Sequence, residues 1–341
     1  MRILVSSHFF APSVGGIELV SGIVASELHA RGHEVRVITQ TPDPEAAAQL
    51  PFPVFRQPER GEIMAQIRWC EVYLQGNISL ATLWPALLSR KPVLVVHHTW
   101  ISRVDGRIAW QDRLKLFATR WVRRNLAVSK ALAATIPAKC GVIANPYRED
   151  VFTEDSAAVR DRDLVFVGRL VSDKGCSILL EALARLAADA IRPALTVVGS
   201  GPELENLKAQ AMSSGLVGQV VFAGQKTGPE LATLLNRHRI LVVPSLWQEP
   251  FGIVALEGIA CGCVVIGSAG GGLPDAIGPC GETFPNGDHR ALAERLRALL
   301  ADPVGLASYR VAAPGHLAKH TRAAVAEAYV RELDAIRPPV R

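Results

Sequence analysis

The feature that most restricts the fold of this 341-residue chain is a repeated order: a short apolar run, a glycine-containing turn, then an amphipathic stretch. "RILVSS" is followed by Gly15-Gly16 and by "IELVSGIVASELHARG", whose apolar positions recur at helical spacing and whose end is marked by Gly32. "HEVRVITQ" reads as the next strand, and "KPVLVVHH" is the near-continuous apolar run that a strand buried on both faces requires. "NLAVSKALAAT" reads as a short strand entering a helix capped by Ser129. After a segment rich in Pro, Asp and Glu, 146–162, the order starts again with "DLVFVGRL" and "GCSILLEALARLAADA". The expectation is two consecutive doubly wound α/β domains, 1–146 and 147–318, then a closing helix in 319–341. That helix carries Val325, Tyr329, Leu333 and Ile336 on one face, so it needs a surface to dock on. Two such domains are expected to face each other across a cleft at the carboxyl ends of their strands, where open α/β sheets bind ligands.

Composition narrows the class further. Hydrophobic residues make up 49% and charged residues 20%, an ordinary globular mixture, and no apolar run reaches the length of a membrane span. The start, "MRILVSSHFFAPSVGG", reads as a buried strand and not as a signal peptide. Six cysteines are scattered without metal-knuckle spacing, so they are expected as reduced, apolar side chains in a cytoplasmic protein. The net charge of +5 is concentrated: 103–130 holds eight Lys/Arg against two Asp. This is a basic patch on a nearly neutral chain, and nothing in it resembles a nucleic-acid recognition element.

Chemistry-bearing residues cluster after the second-domain strands. Glycine turns stand at Gly15-Gly16, Gly199-x-Gly201 and 270–272, none in a dinucleotide or P-loop pattern. Arg169 and Lys174 follow the strand of "FVGRLVSDKG", a planar donor fork plus a point charge suited to a diphosphate. In "VVPSLWQEPFGIVALEGIACG", Pro250 marks an expected helix start, with free N–H groups from Phe251 through Gly252 and Ile253 to Val254 forming an anion site. Gly252 is expected to leave room for a phosphate. Glu249 precedes that helix, and Glu257 is expected about 9 Å further along its axis. Carboxylates beside a phosphate need neutral hydroxyl partners, which the ribose and hexose of a sugar nucleotide supply. Glu257 lies among apolar residues, where a carboxylate without a partner is costly.

"GRLVSDKG" and "EPFGIVALE", an E-x7-E pattern, resemble the family 4 retaining glycosyltransferases of GT-B fold. "APSVGGIE", "VVGSGPE" and "GGLPD" resemble other motifs of that family, in the same order, so the likeness covers nearly the whole chain. The link holds Asn145-Pro146-Tyr147 where relatives carry Asn-Gly, and "GGLPD" ends in Asp275 where Glu is commoner. The resemblance implies that Arg169 and Lys174 hold the donor diphosphate, that Glu249 contacts the transferred sugar, and that Glu257 contacts the ribose. It places Gly15 and Gly16 near the phosphates and the acceptor, and a histidine at the end of "VLVVHHTW" near the sugar. His97, directly after the strand, is favoured for that place over His98. The closing helix is expected to cross back to the amino-terminal domain.

The implied reaction moves a sugar from a UDP- or GDP-type donor to a hydroxyl of a saccharide or lipid-linked acceptor, in cell-envelope or exopolysaccharide synthesis. Arg169, Lys174 and the helix terminus would stabilise the leaving diphosphate, so neither a metal nor a resident cofactor is expected. Alternatives are a GT-B nucleotide-sugar epimerase, which needs no acceptor, and a non-catalytic binding or scaffold protein. In "RIAWQDRLKLFATRWVRR", Trp110, Leu114, Phe117 and Trp121 recur at helical spacing, flanked by Arg107, Arg113, Lys115, Arg120, Arg123 and Arg124. Such a stripe either meets an anionic membrane surface, giving peripheral attachment at the inner face of the plasma membrane, or packs on the first domain's sheet with its charges solvated.

Overall fold

The computed structural model describes residues 1–13, 15–43, 49–102 and 108–337. The chain divides into two compact units, Met1–Pro146 with Arg322–Arg341, and Tyr147–Thr321. Arg103 and Arg107 of the basic segment and Val14 of the first glycine motif lie outside the described residues.

The first unit runs β1 (Arg2–Ser7), α1 (Gly16–Ala30), β2 (Glu34–Thr39), β3 (Val54–Arg56), α2 (Arg60–Trp69), β4 (Val72–Gly76), α3 (Leu80–Leu88), β5 (Val93–His97), α4 (Trp110–Ala118), β6 (Arg124–Ala127), α5 (Lys130–Ala133) and β7 (Cys140–Val142). All pairings are parallel, in the order β3-β2-β1-β4-β5-β6-β7, so the winding direction reverses between β1 and β4. β5 is buried at every residue, because helices cover both faces of the sheet. The Ser129 hydroxyl caps α5 by accepting from the Leu132 amide at 3.2 Å.

The second unit runs β8 (Arg162–Val167), α6 (Cys176–Ala188), β9 (Leu195–Val198), α7 (Leu204–Ser213), β10 (Val220–Gly224), α8 (Gly228–Asn236), β11 (His238–Val243), α9 (Ile253–Ala260), β12 (Val264–Ser268), α10 (Leu273–Ile277), β13 (Gly281–Phe284), α11 (His289–Ala301), α12 (Pro303–Val311) and α13 (Ala313–Leu317). Its sheet, β10-β9-β8-β11-β12-β13, is again parallel and reverses between β8 and β11. Leu179, Leu183 and Leu186 of α6 pack with Leu292 and Leu296 of α11 over β8, β9 and β11.

The closing helix α14 (Arg322–Ile336) belongs to the first unit, where it packs on α1 and buries Val325, Tyr329, Leu333 and Ile336. The Arg124 guanidinium at the start of β6 donates twice to the Glu332 carboxylate, at 2.6 and 2.8 Å. Arg124 is therefore a helix-docking residue and not a flank of the aromatic stripe. The six cysteines are free thiols, five of them buried. Among the described residues no helix is long and apolar enough to cross a membrane.

The turn that leads into α6 shows how tightly the ends of β8 and β11 are joined. Gly175 has φ +69°, and a Cβ there would stand 1.9 Å from the Pro244 carbonyl oxygen. Gly215 has the same φ with open space around it. Gly175→Ala is expected to lower stability by roughly 2–4 kcal/mol, and Gly215→Ala by about 1 kcal/mol, in thermal or urea unfolding. Equal costs at the two positions would show that the close approach to Pro244 adds nothing.

Candidate active site

In the second unit the sheet reverses between β8 and β11, so the loops after these strands border a crevice. Arg169 and Lys174 come from the first loop, and Ser245 and Glu249 from the second. The loops are held together by backbone: the Asp173 carbonyl accepts from the amides of Leu246 at 2.9 Å and Trp247 at 3.1 Å. That clamp brings Lys174 to Glu249. The Lys174 ammonium donates to Glu249 Oε1 at 2.5 Å, and the Ser245 hydroxyl donates to the same oxygen at 2.8 Å.

Within the chain the Glu249 carboxylate is matched by an ammonium and a hydroxyl. Both side chains of the pair are mostly shielded, 24% exposed for Lys174 and 14% for Glu249. The Glu249 backbone is fixed as well, by the Gly272 amide donating to its carbonyl at 2.7 Å and by a parallel bridge to Gly271. Arg169 stands exposed, with no ion pair among the described residues. The two cations therefore differ in state, one paired and one open.

The helix start is corrected. Pro250 lies outside α9, which begins at Ile253 with Gly252 as its N-cap. Gly252 has φ +106°, and a Cβ there would press on Leu273 at 2.6 Å. Its smallness serves the left-handed turn and the packing of Leu273. The Ala255 amide donates to the Gly252 carbonyl at 3.0 Å, which leaves the amides of Ile253 and Val254 as the open donors of the first turn. The Phe251 side chain is 2% exposed and packs against the His320 ring, so only its backbone is available.

Glu257 lies one turn into α9, about 6 Å along the axis from Ile253. The 9 Å spacing from Glu249 does not apply, because Glu249 belongs to the preceding loop. The Glu257 carboxylate has no hydrogen-bond partner among the described residues, and burial pushes it up to about 7, against a smaller opposing pull from Arg148. It is a half-buried acceptor waiting for donors.

The remaining expected residues fall in the first unit. Gly15 has extended backbone and accepts from the Leu19 amide at 3.1 Å as the N-cap of α1; a Cβ there would meet the Glu18 carboxylate at 2.4 Å. Gly16 is the first residue of that helix. His97 is 1% exposed. Its Nε2–H donates to Asn125 Oδ1 at 3.3 Å, a tautomer set by the Asn125 amide, which itself donates to the Thr119 carbonyl at 2.8 Å. His97 Nδ1 is left without a partner, and burial pushes the ring down to about 4. His98 is 8% exposed and is likewise pushed down to about 4 by burial.

Sequence reading missed Ser245, Arg148 and Asn286. Asn286 ties loops together, donating to the Ser245 carbonyl at 3.1 Å and accepting from the Gly270 amide at 2.7 Å. Only Ser245 carried a signal, as a serine directly after an apolar strand. The Asp-x-Asp at Asp161 and Asp163, a metal-type pattern left out of the expectation of metal independence, lies at the amino end of β8. Asp161 pairs with Arg237 at 2.7 Å and Asp163 with Arg239 at 3.4 Å. This is the opposite strand end from Arg169.

The coupling of Lys174 to Glu249 is measurable. Lys174→Met is expected to cost about 1–3 kcal/mol of stability by stranding a shielded carboxylate, and adding Glu249→Gln to recover at least half. A double-mutant cycle with no coupling would remove the pair as a structural interaction.

Comparison with known proteins matches this layout. The family model described as glycosyl transferases group 1 matches residues 148–314, and that described as glycosyltransferase family 4 matches residues 14–148. A phosphatidyl-myo-inositol mannosyltransferase of Mycobacterium leprae is 26% identical over 94% of this chain and 93% of its own length. A glycogen synthase of Mycobacterium tuberculosis is 36% identical over 41% of this chain, a match that spans 34% of the synthase. The crystal structure of Anabaena Alr3699/HepE, solved with UDP and glucose, superposes with a TM-score of 0.80 at 19% identity, covering 98% of this chain and 100% of that one. With the two models matching in succession along nearly the whole chain, the protein belongs to the family 4 glycosyltransferases of GT-B fold.

Proposed function

We propose that the chain transfers a sugar, with retention, from a UDP- or GDP-type sugar nucleotide to a hydroxyl of a saccharide or lipid-linked acceptor in envelope or exopolysaccharide synthesis. The observation that carries this reading is the second unit's crevice: Glu249 held by Lys174 and Ser245, Arg169 open, the first amides of α9 unfilled, and Glu257 without a partner one turn on. Each group has a task in breaking a sugar–phosphate bond. As the bond from the sugar's anomeric carbon to the diphosphate oxygen opens, negative charge builds on the diphosphate. Arg169, Lys174 and the Ile253 and Val254 amides would stabilise it. Lys174 then shifts from Glu249 to phosphate, freeing Glu249 to accept from a sugar hydroxyl. The acceptor oxygen bonds to the anomeric carbon on the same face, and its proton passes to the leaving diphosphate. Glu249 orients and balances charge, and forms no covalent intermediate.

Glu257 would accept from the ribose hydroxyls. In the first unit, Gly15 and Gly16, which open α1, would serve the phosphates and acceptor, and His97, whose Nδ1 has no partner, would serve the sugar as a neutral imidazole. Cation charge from side chains and a helix terminus supports a reaction that needs neither metal nor cofactor. An epimerase or a non-catalytic binding protein finds less support, because the phosphate-binding and sugar-facing groups occur together.

Calorimetry with UDP, GDP and ADP, with and without EDTA, tests the donor site. One nucleotide is expected to bind irrespective of EDTA, with about a tenfold or larger loss in Arg169→Ala and in Glu257→Ala. Binding by none of them would put the scaffold reading ahead. Glu257 adds a pH signature, since hydroxyl donors favour the ionised carboxylate. Affinity is expected to fall as pH drops through about 7, at most about tenfold per unit, and Glu257→Gln to abolish the slope. Without nucleotide the linkage runs the other way. A carboxyl raised above its ordinary 4.5 costs stability progressively between pH 4.5 and 7 and fully above it, so Glu257→Gln is expected to melt higher than the parent at pH 8.

We also read α4 as a contact for an anionic membrane surface. The Ala109 amide at its start is satisfied by Asp112 Oδ2 at 3.1 Å, and Asp112 is the buried side chain of the helix. The stripe consequently faces outward, with Trp110 70%, Phe117 54% and Trp121 66% exposed, beside exposed Arg113, Arg120 and Arg123. The alternative, in which the stripe packs on the sheet, does not hold. Co-sedimentation with phosphatidylglycerol vesicles is expected at low salt and to fall as salt rises. Indifference to such vesicles would end this reading.

A further inference from the structure

The first unit has its own reversal point, between β1 and β4, and beyond those strand ends lies a cavity of about 740 Å³. One side of its lining is polar: Ser6, Thr39, Gln40, Asn77 and Thr82. Behind it, Gln75 is 1% exposed; its amide nitrogen donates to the Ser79 carbonyl at 3.1 Å and to the Thr82 hydroxyl at 2.6 Å. Its Oε1 has no partner, an orphan acceptor directly behind a hydroxyl-lined wall. The other side is apolar, with Ile63, Leu80, Trp110 and Leu114. Among the described residues, Lys115 is the one Lys or Arg in the lining, it pairs with Asp112 at 3.4 Å, and no carboxylate lines the space. The cavity is therefore neutral, hydroxyl-accepting on one side and greasy on the other.

Two of the apolar lining residues have a second property. Trp110 and Leu114 are 70% and 45% exposed, and they begin the same outward stripe that continues through Phe117 and Trp121. The cavity wall and the external apolar face are thus one surface. A free sugar would leave this wall unused, whereas an apolar chain attached to a sugar would run along it from the cavity to the outside. Exposed Arg113, Arg120 and Arg123 are absent from the lining, so their positive charge sits outside the cavity, where an anionic surface would meet it.

We infer that this cavity is the acceptor site, and that it takes an amphiphile: a neutral polyhydroxyl head on the Ser6–Asn77–Thr82 wall, and an aliphatic chain leaving over Leu80, Trp110 and Leu114. The inference rests on the transferase reading and names its acceptor class. Orientation follows from the chemistry of the walls. Head-group hydroxyls exchange hydrogen bonds with the Ser6 and Thr82 hydroxyls and the Gln40 amide of the lining, while the chain loses water against indole and leucine.

Octyl β-D-glucoside below its micellar concentration, glucose and 1-octanol are the probes, with binding to the full chain followed by saturation-transfer NMR and calorimetry. Octyl glucoside is expected to bind at least about tenfold more tightly than glucose, the gain from burying roughly two methylene groups, and about tenfold more tightly than 1-octanol, the gain from one or two net head-group hydrogen bonds. Ala81→Trp fills the space from an exposed position at the start of α3, and Leu114→Glu changes the exposed rim. Each is expected to weaken octyl glucoside by about tenfold while leaving nucleotide affinity unchanged. Glucose binding as tightly as octyl glucoside would overturn the amphiphile assignment in favour of a soluble saccharide. Octanol binding as tightly would reduce the site to an unselective apolar hole, and indifference to Ala81→Trp would place the site elsewhere. Failure of the unsubstituted chain to bind any nucleotide is read separately: it removes the transferase reading, and with it the acceptor role, whatever octyl glucoside does.

Discussion

Parallel strand pairing is the constraint from which the rest of this molecule follows. A parallel neighbour is reached by a crossover from one end of the sheet to the other, usually through a helix, so every strand leaves at the same edge. Both sheets here are parallel throughout, and each reverses winding once, between β1 and β4 and between β8 and β11. At a reversal the two flanking loops diverge to opposite faces and leave a gap. Arg169, Lys174, Ser245 and Glu249 occupy one such gap, and the hydroxyl-lined cavity occupies the other. The chemistry collects at these points because the backbone leaves space there, and because helix amino termini point into it.

Within the second unit, pairing charge with charge is what makes a ligand-free site stable. Lys174 and Glu249 are both largely shielded, and each would be costly alone. Their contact lets an ammonium and a carboxylate share one crevice without leaving either charge unpaired. Glu257 is treated differently. It has no partner, and its carboxyl is raised toward neutrality by burial, so it can wait uncharged. The two glutamates of one short motif therefore solve the same electrostatic problem by opposite means.

The first unit depends on a distant part of its own chain. α14 is the last helix, yet it covers α1 and locks to β6 through Arg124 and Glu332, more than two hundred residues apart. That late arrival means that one face of the first sheet is completed only after the second unit has been traversed. α4 has the reverse character. It gives its one buried side chain to Asp112, which closes its own amino terminus, and leaves its aromatic stripe uncovered.

Much of this could be read without coordinates. The strand–helix alternation, two doubly wound units, the cap at Ser129 and the buried face of α14 follow from local periodicity and turn chemistry, which act over a few residues and so leave marks in the sequence, whereas β3, α2, β4 and α3 were not read from it. The residues of the second crevice were legible as types at strand ends. Their partners were not. The meeting of Lys174 with Glu249 depends on the Asp173 carbonyl reaching the amides of Leu246 and Trp247, contacts between segments more than seventy residues apart. The shift of the α9 start from Pro250 to Ile253 depends on Gly252 turning left-handed against Leu273. Whether the aromatic stripe of α4 faced in or out had no local signature, since an apolar stripe looks the same in either place. The sequence by itself determined which elements form and which residue types end them, because those are short-range matters of sterics and solvation. Only the tertiary structure decided which charges are paired, which polar atoms remain unmatched and which apolar faces stay open, because each of those depends on segments that meet only once the sheets are wound.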